Sequence, residues 1–403
     1  MPHDVTYGTT TYDKGALAIH SMRGYLGDSV FFDATKAFLQ EFAFTDVSSE
    51  QYRDFLTDYT GIDMNGFFDA WIFNPGHLTY KIMDYTVTNN AGSYDVSIDL
   101  KQKIFERTNY ADNNRLEISC LGPDWNIYTE SVQFDGEQAT VNVSFPVEPQ
   151  ILMIDYNQKL ADGSLDRENK ITSTGYAYYY GSRLGVTGLS DSAFVRIEHK
   201  YVAPDHCIEP LEGIVLSDKH YWNVTGVVEG DIQTTMQFEF INTTNTGIDD
   251  WLFSDSIILD SAIRVLYRPD AQSNWQEIDF TKPSANNYGF ILVDTLRFGE
   301  YTFGVYDPAR YDSLGLGMIN LNTGLDNNIS IFPNPAKNTI CINAKDQGYN
   351  SLSIFTLSGK QLEEKKFHNS DTISLEAYIH GVYIIQLTGP KMVSARRKFI
   401  KVQ

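Results

Sequence analysis

Histidine and cysteine are the side chains best suited to metal or nucleophilic chemistry, and their spacing here gathers no familiar ligand set. The sequence holds eight histidines and three cysteines. His3, His20 and His77 stand alone and read as surface or packing residues, and no histidine is followed by glutamate anywhere in the chain. His199, His206, Cys207 and His220 form a cluster whose spacings match neither a zinc finger nor a zinc ribbon. Strands could bring them together, but ordinary β-domain residues are the plainer reading. Cys120, Cys207 and Cys341 are odd in number and scattered, which builds no disulfide framework. Among the 25 tyrosines, Tyr12 sits in a distinctive tract, Thr11-Tyr12-Asp13-Lys14-Gly15-Ala16. On the tract alone, that phenol is either a packed aromatic or a placed hydrogen-bond donor.

The elements that must position these residues change in character along the chain. Residues 1–77 read as helices. Thr10 and Thr11 are placed to cap a first helix whose apolar stripe runs Ala16, Leu17, Ile19, His20, Met22 and Leu26. Asp28 and Ser29 open a second with Phe31, Ala34, Phe38 and Phe42 on one face. Ser48 with Gln51 spells a capping box for a third, which turns Tyr52, Phe55, Leu56 and Tyr59 inward and stops at Gly61. Asp63 starts a fourth, through Phe67, Phe68 and Trp71.

Near His77 the apolar period shifts from 3.6 to 2. Residues 78–158 read as a small β-sandwich, with Asp135-Gly136 as a hairpin turn. The polar, glycine-rich stretch 159–190 reads as a boundary segment. Residues 191–306 form a second β domain, 307–327 a linker, and 328–403 a compact sandwich of about seven strands. The fold class is therefore multidomain and mainly β, with a helical N-terminal part.

Charge sharpens the division. The chain carries a net −21, which argues against nucleic acid as a partner, since phosphate contacts need basic surface. From Asn328 onward ten Lys/Arg face five Asp/Glu, a local +5 that marks a separate module and leaves −26 for the remainder. No apolar run reaches the length of a transmembrane helix. The polar start MPHDVTYGTTTYDKG has no leader character, so an exported protein of this sequence is expected to have its signal peptide upstream of Met1.

Two stretches carry resemblances. The Tyr12-Asp13-Lys14-Gly15 tract, Leu26-Gly27-Asp28, Asp54-Phe55 and Phe67-Phe68-Asp69-Ala70-Trp71 resemble the aminopeptidase N-like zinc metallopeptidases, over the part of the catalytic domain that follows the zinc helices. Gly76-His77-Leu78, Leu100-Lys101-Gln102 and Ile154-Asp155 resemble the borders of that family's β-sandwich domain. The resemblance implies that Tyr12 donates its phenol to the oxygen of the scissile carbonyl as negative charge develops there, with Tyr7 a weaker candidate near the same site. Such a donor supplies ~3 kcal/mol. It also implies peptide substrates and a zinc ion in full-length members, held by His-Glu-x-x-His and a further glutamate. This sequence lacks that motif, so no cofactor is expected on this chain and no activity from it alone.

The second resemblance rests on Ile329-Ser330-Ile331-Phe332-Pro333-Asn334-Pro335, Leu357-Ser358-Gly359-Lys360, Gly381-Val382-Tyr383-Ile384-Ile385 and Lys398-Phe399-Ile400-Lys401-Val402. It is similar to the type A C-terminal sorting domain of the type IX secretion system of Bacteroidetes. That implies the outer-membrane secretion machinery as partner and the cell surface or medium as destination. A different reading makes the chain a non-catalytic surface scaffold exported by the same route.

Overall fold

The computed structural model describes residues 8, 10–242, 247–250, 262–282, 288–313, 329–344, 349–356, 361–389 and 394–402. The chain divides into two compact units, residues 1–206 with 216–305, and residues 207–215 with 306–403.

The first unit begins with α1 (Gly15–Leu26), α2 (Asp28–Glu41), α3 (Ser49–Thr60) and α4 (Asn65–Phe68), with π-helical turns at Thr10–Lys14 and Asp69–Phe73. Their shared core is Met22, Tyr25, Leu26, Phe31, Ala34, Leu56, Met64, Phe67 and Phe68. The capping box forms as its sequence spells it, Gln51 N–H donating to Ser48 Oγ at 3.2 Å and Ser48 N–H to Gln51 Oε1 at 2.9 Å, and Gly61 ends α3 in the left-handed region at φ 69°. Other local expectations are corrected. Thr10 and Thr11 lie inside the first π-helical turn, and α1 has no side-chain cap. The buried face of α1 is Ala18, Ser21, Met22, Tyr25 and Leu26, while Leu17 and Ile19 are exposed. Tyr59 is exposed too, donating to Asp33 Oδ2 at 2.9 Å. Which stripe of an amphipathic helix turns inward is decided by its neighbours, and α1 is apolar on two sides.

Next comes a sandwich of two three-stranded sheets. One is β1 (His77–Asn90), β2 (Ser93–Phe105) and β5 (Gln138–Phe145); the other is β4 (Ile127–Phe134), β3 (Asn114–Leu121) and β6 (Ile151–Ile154), paired in those orders. Their inward residues, including Val96, Ile98, Leu100, Ile118, Val141, Val143 and Phe145, make one core. Asp135-Gly136 does turn the chain, with Gly136 at φ 72°, but β4 and β5 lie in different sheets. The turn is an arch between layers, not a hairpin.

The stretch 159–190, expected as a boundary segment, carries three strands: β7 (Ser164–Ile171), β8 (Gly175–Tyr179) and β9 (Ser182–Leu189). They join β10 (Ala193–Lys200), β12 (Tyr221–Val228), β13 (Ile232–Ile241), β14 (Ile263–Arg268), β15 (Gln276–Ile278), β16 (Tyr288–Val293) and β17 (Gly299–Tyr306); β11 (Ile214–Leu216) lies between β10 and β12 in sequence. One sheet runs β15-β14-β17-β12-β10-β7 and the facing one β16-β13-β9-β8. Trp222, Phe238, Tyr301 and Phe303 interlock the two layers, with ring centroids 4.7–5.1 Å apart. Strand β10 is buried on both faces. Its apolar side fills this core, while Arg196 and Lys200 reach the first sandwich, donating to the carbonyls of Ile154 and Tyr80 at 2.8 Å each.

The C-terminal unit holds the short helix α5 (Pro308–Ser313) and a sandwich of seven strands among the described residues. One sheet is β18 (Ile329–Phe332), β19 (Thr339–Ala344) and β22 (Ser370–Ser374); the other is β21 (Gln361–Lys366), β20 (Ser351–Thr356), β23 (Gly381–Thr388) and β24 (Ser394–Lys401). Ile340, Ile342, Leu352, Ile354, Ile385 and Phe399 are at its centre. The Leu357–Lys360 turn lies outside the described residues.

Candidate active-site segment and the joint that carries it

Tyr12 lies in the π-helical turn Thr10–Lys14 and is 58% exposed. Its amide and that of Thr11 both donate to the carbonyl of Gly8, at 3.3 and 3.0 Å, which closes the turn. Lys14 Nζ donates to the carbonyl of Asn74 at 3.3 Å, tying this turn to the far end of the helical region. A Cβ built on Gly15 meets nothing within 4 Å, so this glycine makes no close packing. Tyr7 and His3 lie outside the described residues.

His20, His77, His199 and His220 resolve into two roles. His20 Nε2 pairs with the carbonyl of Gln158 at 2.7 Å, and His77 Nε2 with that of Tyr201 at 2.6 Å while stacking on Phe105. Both therefore join modules. His199 and His220 do meet, at 2.9 Å between Nε2 and Nδ1, and His220 Nε2 reaches Asp249 Oδ1 at 2.8 Å. Asp249, which also accepts from the Ile241 amide at 2.8 Å, had no signature in the sequence. Burial and the neighbouring His220 push His199 well below the usual imidazole range. This is a linear chain of hydrogen bonds rather than a converging set. No group of three His, Cys, Asp or Glu among the described residues is arranged to hold a metal ion. The described residues do not fit the zinc site of an aminopeptidase.

Sequence reasoning missed the joint that holds the tyrosine segment in place. The loop 155–163 touches all three modules of the first unit. Toward α1, Ala161 N–H donates to buried Ser21 Oγ at 2.9 Å, and Gly24 lets the Lys159 carbonyl approach so closely that a Cβ there would sit 2.4 Å from the oxygen. Toward β1, Gly163 N–H donates to the Leu78 carbonyl at 2.7 Å and Thr79 Oγ1 to Asp162 Oδ2 at 2.9 Å. Toward the second sandwich, Tyr201 N–H donates to the Gly163 carbonyl at 2.8 Å. Asp155 anchors the loop itself, accepting from the amides of Lys159 and Leu160 at 2.8 Å each. Burial raises Asp162 to about 7, against the pull of Lys200 and the Thr79 bond.

A second fastening is ionic. Asp205 gathers Lys81 (2.5 Å) from β1, Lys101 (3.2 Å) and Lys103 (3.0 Å) from β2, and Arg268 (2.9 Å) from β14. Glu300 on β17 takes Lys81 and Arg268 at 2.5 Å. Burial alone would raise the Asp205 carboxyl, but the charges of Lys81 and Lys103 hold it far below its ordinary range. Burial lowers Lys103 to about 8 even with Asp205 beside it.

Set beside known proteins, the two ends of the chain are recognisable. Residues 2–71 match the peptidase family M1 domain. Residues 330–402 match the secretion system C-terminal sorting domain. A curated relative, aminopeptidase N of Lactococcus lactis subsp. lactis, is 28% identical over 115 residues, a stretch that covers 28% of this chain and 12% of the relative. The M1-matching segment is the helical region that carries Tyr12, and the sorting-domain match falls on the C-terminal sandwich. A tail of this kind goes with export to the cell surface or beyond. No helix among the described residues is long and apolar enough to cross a membrane.

Proposed function

We infer that this chain is the C-terminal portion of an exported zinc aminopeptidase, which hydrolyses the first peptide bond of peptide substrates. The observation that carries the reading is the match of residues 2–71 to the M1 domain, with Tyr12 on an exposed turn at its start. Tyr12 is a catalytic residue in this reading: its phenol donates to the substrate oxygen as charge develops. Lys14 is a positioning residue, holding the turn to Asn74. The zinc of such enzymes supplies a polarising charge and an activated water, and its ligands come from polypeptide other than the described residues. Apolar side chains left exposed on α1 and α2, Leu17, Ile19, Val30, Phe32 and Leu39, are what the remaining helices of a catalytic domain would cover. Tyr7 is the second candidate donor. Residues 328–403 act as the type IX sorting module, read by the outer-membrane machinery.

The test has two arms. The chain alone is expected to bind no stoichiometric zinc and to leave aminoacyl p-nitroanilides intact; one tightly held zinc per chain overturns that. Joined to the zinc-helix segment of an M1 peptidase, it should gain aminopeptidase activity, and Tyr12→Phe should then lower kcat ~100-fold with little change in melting temperature. Wild-type turnover in that variant would return Tyr12 to a packing role. The rival reading, a non-catalytic surface scaffold, gains if the joined protein binds zinc yet hydrolyses nothing.

A further inference from the structure

The outer face of the β16-β13-β9-β8 sheet carries several exposed aromatic side chains. Strand alternation puts Met236, Phe238 and Phe240 of β13 into the core and turns Gln237 and Glu239 toward the other face, where Gln237 is buried beneath its neighbours and Glu239 is half-buried. The register then places Tyr176 and Tyr178 of β8, Arg183 of β9 and Phe290 of β16 on that same outer face. Tyr176 and Tyr178 are 55% and 57% exposed and neighbour each other with ring centroids 6.2 Å apart. Arg183 lies 4.9 Å from the Tyr176 ring and 4.0 Å from the Phe290 ring, and its Nε donates to Gln237 Oε1 at 2.7 Å. The result is a continuous strip, Tyr178–Tyr176–Arg183–Phe290, running inward from the β8 edge. Gly185 keeps it flat: it pairs with Tyr176, and a Cβ there would come within 3.2 Å of that ring. Tyr288, also on the outer face of β16, is 57% exposed.

Large aromatics are normally buried, and several of them open on one sheet face mark a binding surface. The chemistry of the strip narrows the occupant. Acidic polymers are disfavoured by the net charge of −21 and by Glu239 on the same face. The one cation of the strip is already engaged by two ring faces and an amide oxygen. What remains is a set of flat, electron-rich ring faces with phenol hydroxyls, the outer N–H groups of Arg183 and the Glu239 carboxylate between them. A pyranose ring offers the matching pattern, a patch of C–H bonds on its face and hydroxyls around its rim.

We propose that this face is a carbohydrate-binding surface, with Tyr176 and Tyr178 as stacking platforms and the outer N–H groups of Arg183 and the Glu239 carboxylate as partners for sugar hydroxyls, taking a neutral polysaccharide. The site is separate from the Tyr12 segment and stands whether or not that segment is catalytic.

Native affinity electrophoresis of the full chain in gels containing hydroxyethylcellulose, laminarin or mannan tests it. At least one of these should retard the protein, and Tyr176→Ala with Tyr178→Ala should weaken that retardation about tenfold or more, equivalent to ~1.4 kcal/mol. Because both rings are largely exposed, the melting temperature should be unchanged, so loss of binding is separable from loss of fold. Lack of retardation by all three polysaccharides overturns the proposal, as does retardation that the double variant keeps. A double variant that instead shifts the elution volume on size exclusion also overturns it, since the strip would then be a contact between protein chains.

Discussion

Asp162 shows how much of this protein rests on single polar side chains that the sequence does not advertise. Its carboxylate accepts from Thr79 Oγ1 and the Ser164 amide, at 2.9 Å each, inside the joint between modules, and burial raises it to about 7. An unfolded aspartate titrates near ~3.9. Between those values the folded state holds the proton more tightly, so the contribution of this site to stability falls as pH rises from about 4 to about 7. Asp162→Asn cannot ionise. The stability difference, variant minus wild type, should therefore grow by on the order of 4 kcal/mol between pH 4 and pH 8, read by urea unfolding at each pH. A difference that does not change with pH would show that the carboxylate is not charged against a cost. Asp205 is the opposite case, held ionised by four cations. Asp205→Asn should cost ~3–5 kcal/mol by leaving Lys101 and Lys103 without this counter-charge and Lys81 and Arg268 with Glu300 alone, and a loss under 1 kcal/mol would mean that solvent already screens the group. Tyr12 stood out as a candidate because a short motif surrounds it. Asp162, Asp205 and Asp249 were not, because each draws its meaning from residues remote in sequence.

At the scale of elements, what the sequence discloses is what is decided locally. Ser48 and Gln51 satisfy each other within one turn of α3, and the capping box forms as spelled. Ser48→Ala should cost ~1 kcal/mol, measured as a lower urea midpoint with unchanged slope. The face of α1 could not be assigned in that way, since Leu17 and Met22 are equally apolar and only tertiary neighbours distinguish them. Strand β7 was missed for a related reason. Its sequence SLDRENKI shows no apolar alternation, because Asp166 and Glu168 are there to meet Arg196 of β10. Asp135-Gly136 was legible as a turn, but the sheet its second strand joins depends on packing. Two glycines of α1 separate these levels experimentally. Gly15→Ala should be neutral or stabilise by up to ~1 kcal/mol, since its Cβ enters open space. Gly24→Ala should lose ~1–3 kcal/mol against the Lys159 carbonyl. Equal melting temperatures for the two variants would deny the close approach at Gly24.

For the whole molecule, the charge contrast of +5 in residues 328–403 against −26 elsewhere coincides with a C-terminal sandwich that has its own core. Deleting 328–403 should leave the thermal unfolding of the remainder intact, followed by tryptophan fluorescence, since all five tryptophans precede the deletion. In the host, the same deletion should strand the protein in the periplasm. Arrival of the truncated protein at the cell surface would remove the sorting role from this module.

The loop 155–163 has a consequence for how this sequence can vary. Several of the contacts that join the modules are made by main-chain atoms: the carbonyls of Gln158, Lys159 and Gly163 and the amides of Ala161 and Gly163. A substitution changes side chains and leaves those atoms in place. Saturation mutagenesis should find the exposed Asn157–Lys159 permissive, with intolerance concentrated at Asp155, Asp162 and Gly163, where a Cβ would fall 2.3 Å from the His77 ring. Relatives that share this joint could therefore drift beyond recognition along the loop and still assemble their three modules in the same way.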